Sequence, residues 1–182
     1  MLMRNLFKCN FVNDGSRTLV ESILIPEVAK AILDWQTEVP NVGVLIGGLA
    51  LSYYIKPRST VDGVFLFLTD SEIPQSIEKF KRSRPSAFLH KETHVEIEVL
   101  TPSKINMSDE LAQKIIETAI KQNGVNVASR EGLIASKLAR FKLQDRTDIS
   151  ELLKLGDVDL SSFPLNQNQK ANLQIALSEQ ED

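Results

Sequence analysis

Apolar positions in the first 40 residues recur at helical spacing. Ile23, Leu24, Val28, Ile32 and Leu33 fall near one face, which predicts a helical stretch ending near Trp35. Pro26 suits the first turn of that helix, where its missing N–H leaves nothing unpaired, and Pro40 stops it. Val42 to Ile46 is a short apolar run bounded by Gly47-Gly48 and predicts a strand. Leu49 to Ile55 then returns to a helical pattern, closed by Pro57.

Gly63 to Leu68 and Val95 to Leu100 predict two further strands. The second alternates, with Val95, Ile97 and Val99 on one face and His94, Glu96 and Glu98 on the other. Between them, Ile73 to Leu89 is a weakly patterned basic segment carrying Lys79, Lys81, Arg82 and Arg84. From Ser108 the pattern is helical. Ser108 caps a helix with Leu111, Ile115, Ala119 and Ile120 as its stripe, and Asn123-Gly124 ends it. Ser129 caps a second, with Leu133, Ile134, Lys137, Leu138 and Phe141 on its inner face. Two short helices follow, Asp148 to Leu155 (stopped by Gly156) and Asn168 to Leu177. An α/β half precedes an α half, with the division expected between residues 1–106 and 107–182.

Composition narrows the class. The 182 residues are 42% hydrophobic and 25% charged, which suits a folded globular chain rather than a disordered one. A net charge of −3 gives no overall basic field for wrapping nucleic acid, although it leaves room for a local basic groove. Cys9 is the single cysteine, so neither an internal disulfide nor a cysteine-built zinc site is possible. The longest apolar run, Val42 to Leu51, is about half of the ~20 residues that cross a bilayer. MLMRNLF lacks the apolar core of a secretory signal, so a cytoplasmic protein without membrane contact is expected.

Several residues are candidates for chemistry. Gly47-Gly48, between strand and helix, allows backbone N–H groups to approach an anion, or simply makes a tight turn. Asp62 opens a very apolar strand, where an unpaired carboxylate is costly, so a cation, Arg58 or both are expected beside it. His94, Glu96 and Glu98 share a strand face that is either a metal site or a polar surface. His90 and His94 lack the H-E-x-x-H pattern because residue 91 is lysine. The basic segment either tracks a phosphate backbone or is a solvated face. Lys137 either extends its ammonium to solvent or reaches a site. Arg146, Asp148 and Glu151 read as a charge network within a helix, Asp70 and Asp145 as loop and surface charges.

Taken in order, these residues resemble the nucleotidyltransferase superfamily, closest to its minimal and abortive-infection-toxin branches. Gly47, Gly48 and Ala50 match the Gly-Gly helix start; Arg58, Thr60 and Asp62 match R-x-T-x-D; Glu98 stands where a later strand carries aspartate. Lys137, Arg146 and Asp148 resemble the helical signature. The resemblance covers Val42 to Leu155 and implies a small mixed sheet flanked by helices and followed by a helical part. It also implies transfer of a nucleoside monophosphate from a triphosphate to a hydroxyl, with magnesium on Asp62 and Glu98; Glu96, on the same strand face as Glu98, is a further candidate donor from its position alone. The phosphates would lie on Gly47, Gly48, Arg58, Thr60 and Lys137. An acceptor RNA or partner protein, and a toxin–antitoxin role, are implied by the same resemblance. One position departs: Val64 stands where the family has its second metal-binding aspartate. Weakened or lost catalysis is therefore expected, and a non-catalytic nucleotide-, RNA- or protein-binding module is the alternative.

Overall fold

Asn123 and Gly124 both adopt positive φ, 49° and 85°, the pattern of a two-residue type I′ hairpin loop. They join β-strands Ile120–Gln122 and Val125–Val127 instead of ending a helix. Ile120 therefore leaves the expected helical stripe and is partly exposed. The computed structural model describes residues 8–13, 16–21, 26–40, 43–55 and 61–179. Arg58 and Thr60, with Pro57, lie outside these residues.

In chain order the strands are β1 Lys8–Asn13, β2 Ser16–Glu21, β3 Val44–Ile46, β4 Gly63–Leu66, β5 Phe80–Arg84, β6 Ala87–His90, β7 Glu96–Leu100, β8 Ile120–Gln122 and β9 Val125–Val127. The helices are α1 Pro26–Glu38, α2 Gly47–Leu51, α3 Asp109–Glu117, α4 Arg130–Arg140, α5 Leu143–Leu153 and α6 Gln167–Ser178. Seven strands form a mixed sheet in the order β5-β6-β7-β4-β3-β9-β8. The β4–β7 and β3–β9 pairs are parallel, and the rest antiparallel. With helices against the sheet and three more after it, this is the expected α/β architecture.

The expected N-terminal helix is described from Pro26, while Ile23 and Leu24 lie outside the described residues. Before it, β1 and β2 pair antiparallel from Lys8↔Glu21 to Asn13↔Ser16. The basic segment likewise contains a hairpin, β5–β6. Helix α5 starts five residues before the expected Asp148, because Phe141 adopts the left-handed conformation (φ 46°, ψ 42°), ends α4 and turns the chain. Asp145 then accepts the Lys142 N–H at 3.2 Å and caps the new helix. Both expected serine caps are present: Ser108 accepts from Leu111 N, and Ser129 from Gly132 N.

Helix α1 lies directly over β4. A Cβ at Gly63 would fall 2.5 Å from Ile32 Cδ1 and 2.8 Å from Ile97 Cδ1, so only glycine permits this approach. Trp35, fully buried, sits among Phe65, Phe67, Phe80 and Phe88 with ring centroids 5.2–6.4 Å away. At one end of α1, Asp34 accepts from Lys30 at 2.8 Å and Lys79 at 2.6 Å. Burial opposes the Asp34 charge, but the two lysines outweigh it and hold the carboxyl below its ordinary pKa. Thr93 N–H donates to His90 Nδ1, which leaves Nε2–H of this buried imidazole to donate to Asp34 at 3.1 Å. Among the described residues, no helix is long and apolar enough to cross a membrane.

Candidate functional site

On the other side of the sheet, β3 ends at Ile46 and the chain enters α2 through Gly47 at φ +75°, a conformation that disfavours any side chain. Neighbouring strands bring four residues into one cross-strand row with Ile46: Val64 on β4, Glu98 on β7, Ala87 on β6 and Arg84 on β5. Residues opposite one another in adjacent strands share a face, so Val64 and Glu98 lie beside the glycine turn. A Cβ at Gly47 would sit 3.5 Å from Val64 Cγ2.

Helices α4 and α5 cover this face and enclose a cavity of about 210 Å³. Its sheet side is formed by Ile46, Gly47, Gly48, Val64 and Glu98; Lys137, Arg140, Asp145 and Asp148 approach from the helices. Lys137 is buried. Its Nζ donates to Asp148 Oδ2 at 2.6 Å and lies 3.5 Å from Asp145 Oδ1. Arg140, at the rim, donates to both Asp145 oxygens at 3.3–3.4 Å, and Gln144 donates to Asp148 Oδ1 at 3.2 Å. Each buried charge thus has partners, as it must to be tolerated in low dielectric.

The cavity therefore gathers Gly47, Gly48, Glu98 and Lys137 from the sequence-derived set, together with Arg140, Gln144 and Asp145, which that set lacks. Asp145 is nearly inaccessible, contrary to the surface position expected for it. The D-x-x-D spacing of Asp145 and Asp148 could have marked them, since residues three apart share a helical face. In place of the expected Arg146–Asp148–Glu151 network, the structure shows other ion pairs for these residues. Asp148 turns to Lys137, Arg146 pairs with Glu179, and Glu151 pairs with Lys154 at 2.7 Å.

Asp62 is exposed, just ahead of β4, and Glu98 is half-buried at the cavity. The Glu96 oxygens accept from Ser83 Oγ at 3.1 Å and from Arg84 Nη2. This bond and the charges of Glu96, Glu98 and Asp62 hold the Arg84 guanidinium above its ordinary pKa. His94 does not share the strand face: it precedes β7, exposed, with φ 58°. Magnesium demands near-octahedral oxygen coordination. Val64 offers no oxygen, and both Glu96 oxygens are engaged. Among the described residues, no three His, Cys, Asp or Glu side chains form a group that could hold a metal. As arranged, the donors do not fit a resident magnesium ion.

Nor do the basic residues of the segment around β5 form a free row. Lys79 pairs with Asp34, and Arg84 with Glu96. Arg82 donates to the Pro85 and Pro74 carbonyls and lies 4.4 Å over the Phe88 ring. These cations staple the hairpin to its surroundings.

A family model described as "Nucleotidyltransferase of unknown function (DUF6036)" matches residues 23–179. No curated protein matches the chain.

Proposed function

The chain belongs to this family of nucleotidyltransferases of unknown function, and from that premise we propose that the cavity between the Gly47-Gly48 turn and helices α4 and α5 takes the phosphate end of a nucleoside triphosphate. One observation carries the reading. The glycine turn, the Glu98 carboxylate of β7 and two cations of α4, Lys137 and Arg140, converge on one cavity that Asp145 and Asp148 of α5 also line. Phosphate oxygens suit the rim guanidinium of Arg140, whose planar donors match them in pairs. Lys137 offers a compact positive charge deeper in, already oriented by Asp148.

The corresponding reaction is an in-line displacement. A hydroxyl oxygen forms a bond to the α-phosphorus, the bond to the bridging oxygen breaks, and pyrophosphate leaves with that electron pair. The hydroxyl proton needs an acceptor, and Glu98 is the carboxylate on the sheet side of the cavity. Val64, in register beside Glu98, supplies no further oxygen. We accordingly place this chain among slow or silent transferases that retain nucleotide binding.

Calorimetric titration with ATP, GTP, CTP and UTP, each with magnesium and with a chelator, tests this. Binding of at least one triphosphate is expected. If none binds, the reading is wrong, and an RNA or a small partner protein, as in toxin–antitoxin pairs, is the ligand class to examine next.

A further inference from the structure

Residues 154–166 join α5 to α6 with no helix or strand of their own, more chain than two packed helices need. Leu160, Phe163 and Leu165 of this connection line a cavity of about 870 Å³ together with Leu153 of α5 and Leu173 and Leu177 of α6. Side chains of this kind normally close on one another. Here they leave a concavity, and Leu177 on its edge is still 40% exposed.

The connection is held in place. Arg130 donates to the Asp157 carbonyl, Ser161 N–H to Asp159 Oδ1 at 2.8 Å, Phe163 N–H to Leu160 O at 3.0 Å and Leu165 N–H to Phe163 O at 2.8 Å. The cavity is therefore preformed, and its volume falls within the ~300–1,000 Å³ of small-molecule sites. Those same bonds leave few donors for an extended peptide to pair with, which favours a small ligand. The charge around the cavity is one-sided. Its charged lining residues are Lys154, Asp157 and Lys170, two cations against one carboxylate. Lys170 is exposed and has no ion-pair partner among the described residues. Lys154 is held only by Glu151, in a pair whose side chains are both about half exposed, and such pairs are weak.

An apolar trough with an unpaired ammonium at its edge is complementary to a molecule that is hydrocarbon at one end and anionic at the other. We propose that this cavity binds a single-chain aliphatic carboxylate, its chain against the leucines and its carboxylate at Lys170. The cavity shares no residue with the one beside the glycine turn, so the proposal stands apart from the nucleotide reading.

The test titrates the full chain calorimetrically with octanoate, decanoate and dodecanoate, each below its micelle concentration. Affinity should rise about tenfold for every two carbons added, the effect of burying two methylenes. Lys170→Gln should weaken decanoate by about tenfold and leave decanol unchanged, because only the carboxylate loses a partner. Leu160→Gln, which places an amide in the trough, should remove binding of both, with circular dichroism showing the fold intact. Lys170 is exposed, so its replacement tests the site even if Leu160→Gln fails to fold. Absence of binding, affinity independent of chain length, or decanoate binding that neither variant alters overturns the proposal. A dimer in sedimentation that Leu160→Gln abolishes and decanoate does not dissociate also overturns it, and gives the cavity to a second copy of the chain.

Discussion

Along β4 and β7, consecutive residues point to opposite sides of the sheet, and the two sides share almost no chemistry. Gly63, Phe65, Ile97 and Val99 face α1 in a dry layer where Trp35 touches four aromatic rings. Val64 and Glu98, one residue along each strand, face a cavity whose helical wall is lysine, arginine and two aspartates. The period of two in a strand therefore divides the work between neighbours. A one-residue slip in register would place the Glu98 carboxylate against Trp35 and the Ile97 side chain in the cavity, so the packing of the first face fixes the geometry of the second.

The largest expected break in this contrast is Trp35→Ala. It should cost about 3–5 kcal/mol of unfolding free energy, because it removes the shared partner of four rings and leaves a void. The same urea titration on Glu98→Gln should move by less than about 1 kcal/mol, since that side chain is half-buried. Comparable losses would mean that both faces are structural. Next in size is Gly63→Ala. Its new methyl meets Ile32 and Ile97, both fully packed, and should destabilise by about 1–3 kcal/mol. A neutral result would show that α1 can lift off β4.

The smallest effect concerns acid. The Asp34 carboxyl has a folded pKa below its ordinary 3.8, so the stability it contributes is fully present above its unfolded value and is lost as pH falls through the folded one. Thermal unfolding followed from about pH 5 to about pH 2 should fall less steeply in Asp34→Asn than in the unaltered protein. Equal slopes would show that this anchor of α1 does not sense pH.

What was legible in the sequence was what is local. Pro26, Ser108 and Ser129 mark helix starts because capping acts within one turn, and the alternation at Val95–Leu100 marks β7 because burial has period two. Two of the missed hairpins carry turn signals, Asp14-Gly15 in the sequence between β1 and β2 and Asn123-Gly124 between β8 and β9. The second reads equally well as a helix end, and only its pairing decides. Strand β5 gives no alternation because every residue after Phe80 is exposed. At the cavity, Gly47, Gly48, Glu98 and Lys137 could be named from order and spacing. Arg140 could not, and Asp145 only through its spacing from Asp148, because the left-handed corner that brings α5 back beside α4 is made at Phe141, a residue with no turn signature.

The row that unites the site crosses the sheet through strands far apart in the chain, and this bears on how the protein is made. Strand β3 pairs in parallel with β9, and Gln36 of α1 accepts the backbone N–H of Asn126 across 90 residues. Closing such loops costs entropy before any contact repays it, so these pairings form late. The roof helices, α4 and α5, emerge from the ribosome later still. A growing chain thus displays the glycine turn and the acidic strand well before the wall that completes the cavity exists.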